Sequence, residues 1–157
     1  MALYLVQHGK SLPKAEDPEK GLSAEGKMET ERIVEVASGY QVRVSRILHS
    51  GKKRARETAA ILSTRLSPPD GIEPCDGMNP MDDVRDFVNR LSMDQGMDQD
   101  IMLVGHLPFL ERMIGLLVCG DPDQTVFKLQ NGGILCLDRV PEVKNPVIRW
   151  ALMPSIG

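Results

Sequence analysis

The sequence contains only three histidines, His8, His49 and His106, and each sits at or just past the end of a short apolar run. Open α/β sheets carry their ligands outside the carboxyl ends of their strands. One histidine at such an edge is ordinarily a hydrogen-bonded loop residue, but three at one edge suggest a site. In Gln7-His8-Gly9-Lys10 the glycine permits a sharp turn that exposes the neighbouring imidazole. The stretch His49-Ser50-Gly51-Lys52-Lys53-Arg54-Ala55-Arg56 gathers four cations where a helix should open. Lys52, Lys53 and Arg56 suit a solvated helix face. A guanidinium near the helix start, such as that of Arg54, can instead reach an anion over the sheet edge, helped by the free amides there. Val104-Gly105-His106-Leu107-Pro108 opens a further helix. His8, His106, Arg54 and two helix N-termini converging would form a cationic pocket of phosphate size.

The surrounding pattern supplies elements able to hold these groups. Ala2–Val6 and Ile101–Val104 are continuous apolar runs, as expected of strands covered on both faces. Val44–His49 and a weak Ile72–Cys75 read as further strands. Ser23 reads as the cap of a helix whose apolar face is Gly26, Thr30, Ile33, Val34 and Ala37. Lys52–Leu66 reads as a helix through Ala55, Ala59, Leu62 and Leu66, stopped by Pro68-Pro69-Asp70-Gly71. Asp82 or Asp83 caps a helix carrying Val84, Phe87, Val88 and Leu91. Pro108 suits the first position of a helix that runs to about Val118. Strands are expected at Val126–Leu129, Ile134–Asp138 and Val147–Leu152, with Asn131-Gly132-Gly133 turning between the first two. Strand and helix thus alternate before strands finish the chain. That order predicts a three-layer α/β/α sandwich around a mostly parallel sheet. The loops at 9–22 and 67–81 are long enough to suggest function.

Composition narrows the classes. At 157 residues the chain fits one domain, residues 1–157. A chain of this size buries roughly 70% of its unfolded surface and needs neither disulfide nor metal to fold. With 19 Lys and Arg against 22 Asp and Glu, the net charge of −3 argues against a nucleic-acid binder. No apolar run approaches the ~18 residues of a membrane span, and Met1–Val6 reads as a strand rather than a secretory signal. Three widely spaced cysteines without a CxxC pair suit a reducing, cytoplasmic setting. The histidine spacing lacks the short paired motifs of a metal site.

These residues resemble the histidine phosphatase superfamily, with its phosphoglycerate-mutase-like fold. The family signature is Arg-His-Gly after the first strand, Ser-Pro-x-x-Arg-Ala-x-x-Thr after the second, and a later Gly-His step. The matching stretches are Gln7-His8-Gly9, Ser50–Thr58 and Gly105-His106, with Leu22-Ser23-Ala24-Glu25-Gly26 similar to the family's helix start. The short length and the His106-Leu107-Pro108 step resemble the SixA-type phosphohistidine phosphatases most. The resemblance implies that His8 is a nucleophile that becomes phosphorylated and is then hydrolysed. It implies that Arg54 clamps phosphoryl oxygens and that His106 hydrogen-bonds the same group. No metal or cofactor is implied. The partner would be a phosphohistidine-bearing protein or a small phosphate compound.

Two departures qualify that expectation. Gln7 stands where the family has arginine, and it lacks the full charge and planar fork. A lost charged donor costs ~10²–10³ in rate by analogy with oxyanion-hole donors. The expectation is therefore a phosphatase weakened by Gln7, one rescued at the phosphate by Lys10 or Lys53, or an impaired domain that binds a phosphorylated ligand without turnover. Gly51 replaces the usual proline. The general acid is also unassigned: Asp82 and Asp83 are candidates, though helix starts suit them better, and Glu57 reads as a surface helix residue. A missing acid suits a phosphoramidate, whose imidazole leaves more readily than an alkoxide.

Overall fold

The computed structural model describes residues 2–93 and 99–156. Six strands form one sheet: β1 (Ala2–Gln7), β2 (Arg46–His49), β3 (Ile72–Pro74), β4 (Ile101–Gly105), β5 (Ile134–Asp138) and β6 (Val147–Leu152). Four helices accompany them: α1 (Ala24–Gly39), α2 (Lys53–Leu66), α3 (Val84–Met93) and α4 (Phe109–Cys119). The strand order is β3-β2-β4-β1-β5-β6. The first four strands run parallel, while β5 lies antiparallel to β1 and β6 antiparallel to β5.

Side chains alternate across a strand, and that alternation divides the core in two. Tyr4, Val6, Ile47, Met102, Val104, Ile134 and Cys136 pack against Ile33, Val34 and Ala37 of α1 and Ala55, Ala59 and Leu62 of α2. Their strand neighbours Leu5, Leu48, Leu103, Leu135 and Leu137 pack against Phe87 and Leu91 of α3 and Leu110, Met113 and Ile114 of α4. This is the three-layer sandwich predicted from the apolar runs. Among the described residues, no helix is long and apolar enough to cross a membrane.

Two expected details differ. Val126–Leu129 is not a strand. Both edges of β1 are taken by β4 and β5, and β5 takes β6 on its far side, so the segment has no place in the centre of the sheet. Its apolar character serves packing instead: Leu129 is buried in the α3/α4 layer, with Val126 and Phe127 against it. Pro108 also stands one place earlier than expected, at the N-cap of α4 and not inside its first turn.

α1 begins as the sequence suggests, with Ser23 Oγ accepting from Gly26 N at 3.0 Å. A β-carbon on Gly26 would collide with the backbone of Lys10, so only glycine lets α1 pass this close to the loop following β1. That loop is closed by a bridge between Ser11 and Leu22 and anchored to α2, because Leu22 N donates to Glu57 Oε2 at 3.0 Å. Glu57 is therefore a loop anchor and not a solvated helix residue.

Candidate active site

All three histidines stand at the carboxyl edge of the sheet. His8 follows β1, His49 ends β2 and His106 follows β4. β4 lies between β1 and β2, so the topology brings three separate stretches of sequence to one place. α2 and α4 both start at this edge, just beyond His49 and His106.

His8 is held by its own backbone turn. Its Nδ1 lies 2.7 Å from the carbonyl oxygen of Gly9, an acceptor only, so Nδ1 carries the proton and donates. The other ring nitrogen, Nε2, is unprotonated and accepts a hydrogen bond from Arg54 Nε at 3.2 Å. The turn is fixed in turn from α2. Gly9 N donates to Thr58 Oγ1 at 3.0 Å, and that hydroxyl donates to the Arg54 carbonyl at 2.8 Å. Arg54 and Thr58, one helical turn apart, thus hold the imidazole and its loop from the same helix. On the far side Asn131 Nδ2 donates to the His8 carbonyl at 2.9 Å, and Gly132 N donates to the Gln7 carbonyl at 2.9 Å. The Asn131-Gly132-Gly133 turn therefore ties β1 to the start of β5.

His106 is buried, 2% exposed, with its ring centroid 5.0 Å from that of His8. Its Nε2 and Ser50 Oγ are 2.6 Å apart, whereas its buried Nδ1 has no hydrogen-bond partner. His49 plays another part: its Nδ1 accepts from Gly51 N at 3.0 Å, shaping the turn that leads into α2.

Electrostatics keep both facing imidazoles neutral. Burial pushes His8 down to about 4; the bond to Gly9 opposes this, and the charges of Arg54 and Lys20 add to it. Burial pushes His106 down to about 3, assisted by His8, Arg54 and Lys52. His49 is also lowered, by burial first and then by Arg56. Neutral rings beside fixed cations leave a lone pair at His8 Nε2 and positive potential around it.

The structure brings together His8, Arg54 and His106, but it employs the other expected residues differently. Lys10 Nζ lies 2.7 Å from Glu25 Oε1 and 3.0 Å from Glu29 Oε1. Lys53 Nζ lies 2.8 Å from Asp17 Oδ2. Both ammonium groups are thus paired with carboxylates. The Gln7 side chain lines a neighbouring cavity, and its buried Oε1 has no partner. Asp82 Oδ2 accepts from Asn79 N at 2.8 Å, and Asp83 Oδ1 from Arg85 N at 2.7 Å, which are the duties of a turn and a helix start. Among the described residues no group of three or more His, Cys, Asp or Glu side chains is placed to hold a metal ion.

The sequence pattern gives Ser50, Thr58 and Lys20 no individual role, and Asn131 only that of a turn residue. Thr58 was visible as part of a motif, but its bond to Gly9 spans 49 positions and follows only from the fold.

No protein-family profile matches the sequence, and no curated protein sequence matches it either. Solved structures do match. The protein histidine phosphatase SixA complexed with tungstate superimposes with a TM-score of 0.83 at 22% identity, over 98% of this chain and 97% of that one. The alpha-ribazole phosphatase from Shigella flexneri gives 0.78 at 17% identity, over 100% of this chain and 98% of the other. A phosphoserine phosphatase from Entamoeba histolytica, in complex with 3-phosphoglyceric acid, gives 0.71 at 16% identity, over 96% and 95%. The chain has the fold of these phosphatases along essentially its whole length.

Proposed function

We propose that this protein is a phosphatase that cleaves a phosphoramidate, with phosphohistidine on a protein as the preferred substrate, through a phosphoryl group carried transiently on His8. The carrying observation is the His8 geometry: Nδ1 donates to Gly9, so Nε2 is the unprotonated nitrogen, and it accepts from the Arg54 guanidinium. A nucleophile needs an unprotonated nitrogen, and a phosphoryl group needs fixed positive charge; His8 Nε2 and the Arg54 guanidinium supply the two side by side.

In the first step Arg54 Nε–H leaves Nε2 for a phosphoryl oxygen, and the freed Nε2 lone pair forms a bond to phosphorus while the bond from phosphorus to the leaving nitrogen breaks. The departing electron pair stays on that nitrogen, and a substrate imidazole protonated on its other nitrogen leaves as a neutral ring. In the second step water attacks phosphorus, the bond to Nε2 breaks, and orthophosphate departs. Arg54 uses its terminal amino groups, which donate no hydrogen bond among the described residues, to hold phosphoryl oxygens. His106 and Ser50, 2.6 Å apart, supply a polar edge opposite His8. The neutral leaving group makes a strong general acid unnecessary, in keeping with Asp82 and Asp83 being occupied at the start of α3. The three cysteines and a cytoplasmic setting fit the same reading.

A second reading has a specific observation in its favour. Gln7 supplies no charge, and the ammonium groups of Lys10 and Lys53 are engaged by carboxylates. Such a site would bind a phosphorylated ligand with little or no turnover. Phosphate release from phosphoimidazole, compared between wild type and His8→Ala, decides between them. Turnover that His8→Ala abolishes supports the phosphatase. Binding of the ligand without turnover supports the binding domain.

A further inference from the structure

Lys10 is paired with Glu25 and Glu29, and Lys53 with Asp17. Lys20, in the same loop between β1 and α1, differs from both. It is half-buried, and among the described residues its ammonium group has no carboxylate or other hydrogen-bond partner. The carboxylate that shapes its turn is already used. Asp17 Oδ2 accepts from Gly21 N at 2.9 Å and from Lys53 Nζ at 2.8 Å, and Asp17 Oδ1 accepts from Glu19 N at 3.0 Å. Charges drawn away from water are ordinarily paired, so this ammonium group lacks a counter-ion.

The loop holds Lys20 beside the site. Lys20 N donates to the Asp17 carbonyl at 2.9 Å, and its φ of 53° lies in the left-handed region that favours glycine. Such a conformation persists where the surrounding structure imposes it. The next residue shows how closely the loop is pressed down. A β-carbon on Gly21 would fall 2.8 Å from Lys53 Cε and 2.8 Å from Glu57 Oε1, so the loop lies on α2 against residues on either side of Arg54. A β-carbon on Gly9 would fall 3.1 Å from Leu22 Cδ2, so the same loop also packs against the turn that follows His8. Lys20 thus stands next to both the turn that carries the imidazole and the helix that carries the guanidinium. Its charge is felt there: after burial and Arg54, Lys20 also lowers the proton affinity of His8.

We propose that Lys20 is a phosphoryl ligand, whose ammonium group meets a phosphoryl oxygen and supplies the positive charge that Gln7 lacks. A dianionic phosphoryl group at His8 then faces Arg54 from α2 and Lys20 from the loop. An ammonium group suits the task, being a compact point charge with three donors that binds phosphate without a planar fork. The bound group in turn gives Lys20 the counter-ion that the chain withholds. The inference rests on the phosphatase reading only for where the phosphoryl group lies, and orthophosphate binding tests it apart from turnover.

Calorimetry with orthophosphate and steady-state release from phosphoimidazole would compare wild type, Lys20→Met, Lys20→Arg and Lys14→Met, the last an exposed lysine of the same loop. Lys20→Met keeps an unbranched side chain and removes the charge. It should weaken orthophosphate binding ~10-fold, about what one charged hydrogen bond contributes, and lower kcat/KM at least as far. Lys20→Arg should restore both quantities, and Lys14→Met should leave both unchanged. Gln7→Arg should raise orthophosphate affinity and kcat/KM more in the Lys20→Met background than in wild type, because the two charges would serve one phosphoryl group. A merely structural lysine would give equal gains. Urea unfolding checks each variant, and Lys20→Gln replaces Lys20→Met should the latter be destabilised. Wild-type binding and turnover in the uncharged variant would overturn the inference, as would failure of Lys20→Arg to restore them. Turnover that depends on His8 would still stand in that case. Conversely, orthophosphate affinity that depends on Lys20, without turnover in any of these proteins, would keep the inference and remove the phosphatase.

Discussion

Arg54 Nε lies 3.2 Å from Nε2 of His8, although 46 residues separate them in the chain. The contact couples the end of β1 to the first turn of α2. The Gly9 carbonyl selects the ring nitrogen able to react, since it holds the proton on Nδ1 and leaves Nε2 unprotonated. A guanidinium in that position cannot lose its proton, so the charge beside the lone pair is permanent. The same group lowers the proton affinity of His8, in addition to the larger effect of burial.

Thr58 is a positioning residue for this arrangement. Its hydroxyl accepts from Gly9 N and donates to the Arg54 carbonyl. Thr58→Val keeps the shape and leaves the buried Gly9 amide unpaired, which should cost ~1–3 kcal/mol of stability. Because Gly9 holds the His8 tautomer, kcat should fall while KM changes little. Thr58→Ser should restore kcat. Urea unfolding and steady-state kinetics on the three proteins check this; a stability loss with unchanged kcat would reduce Thr58 to a structural role.

Gln7→Arg should raise turnover. The charge absent at this position is worth ~10²–10³ in rate when a comparable preorganised donor is removed. Part of that should return, because Lys10 and Lys53 are paired with carboxylates. Phosphate release from phosphoimidazole is the readout. An unchanged or lower rate would mean that position 7 does not limit the reaction here.

Acid stability follows from the neutral histidines. Burial holds His8 at about 4 and His106 at about 3, against an ordinary value of 6.5. Below 6.5 the unfolded chain takes up protons at these residues and the folded chain does not, so stability falls with pH in that window. The contribution is complete above 6.5 and is lost progressively as pH drops through the folded values. Urea unfolding between neutral pH and about pH 4 should show that decline. A double variant, His8→Asn with His106→Asn, should flatten it. The same slope in both proteins would contradict the assignment.

The parts of this architecture visible in the sequence were those set by local pattern. Continuous apolar runs located β1 and β4 because both faces of these strands are covered, and glycine and proline marked where they stop. The histidine placement followed directly, since His8, His49 and His106 each close such a run. Val126–Leu129 misled because burying a loop against a helix layer and burying a strand require the same residue types. What the sequence did not disclose is which partner each polar group finds across the fold. Lys10 and Lys53 read as spare cations until α1 and the closed loop set Glu29 and Asp17 beside them. Gln7 reads as a weakened phosphate ligand, and only the fold shows that it also lines a neighbouring cavity.

The central claim is that His8 Nε2 carries the phosphoryl group, and trapping that species tests it most directly. The protein would be mixed with phosphoimidazole, quenched within a single turnover under alkaline conditions that preserve phosphohistidine, and mapped by mass spectrometry. The account predicts one added phosphoryl group on the peptide containing His8, labile to acid, absent in His8→Ala and reduced in Arg54→Ala. Phosphate release with no label on His8, or a label that persists in His8→Ala, would contradict it.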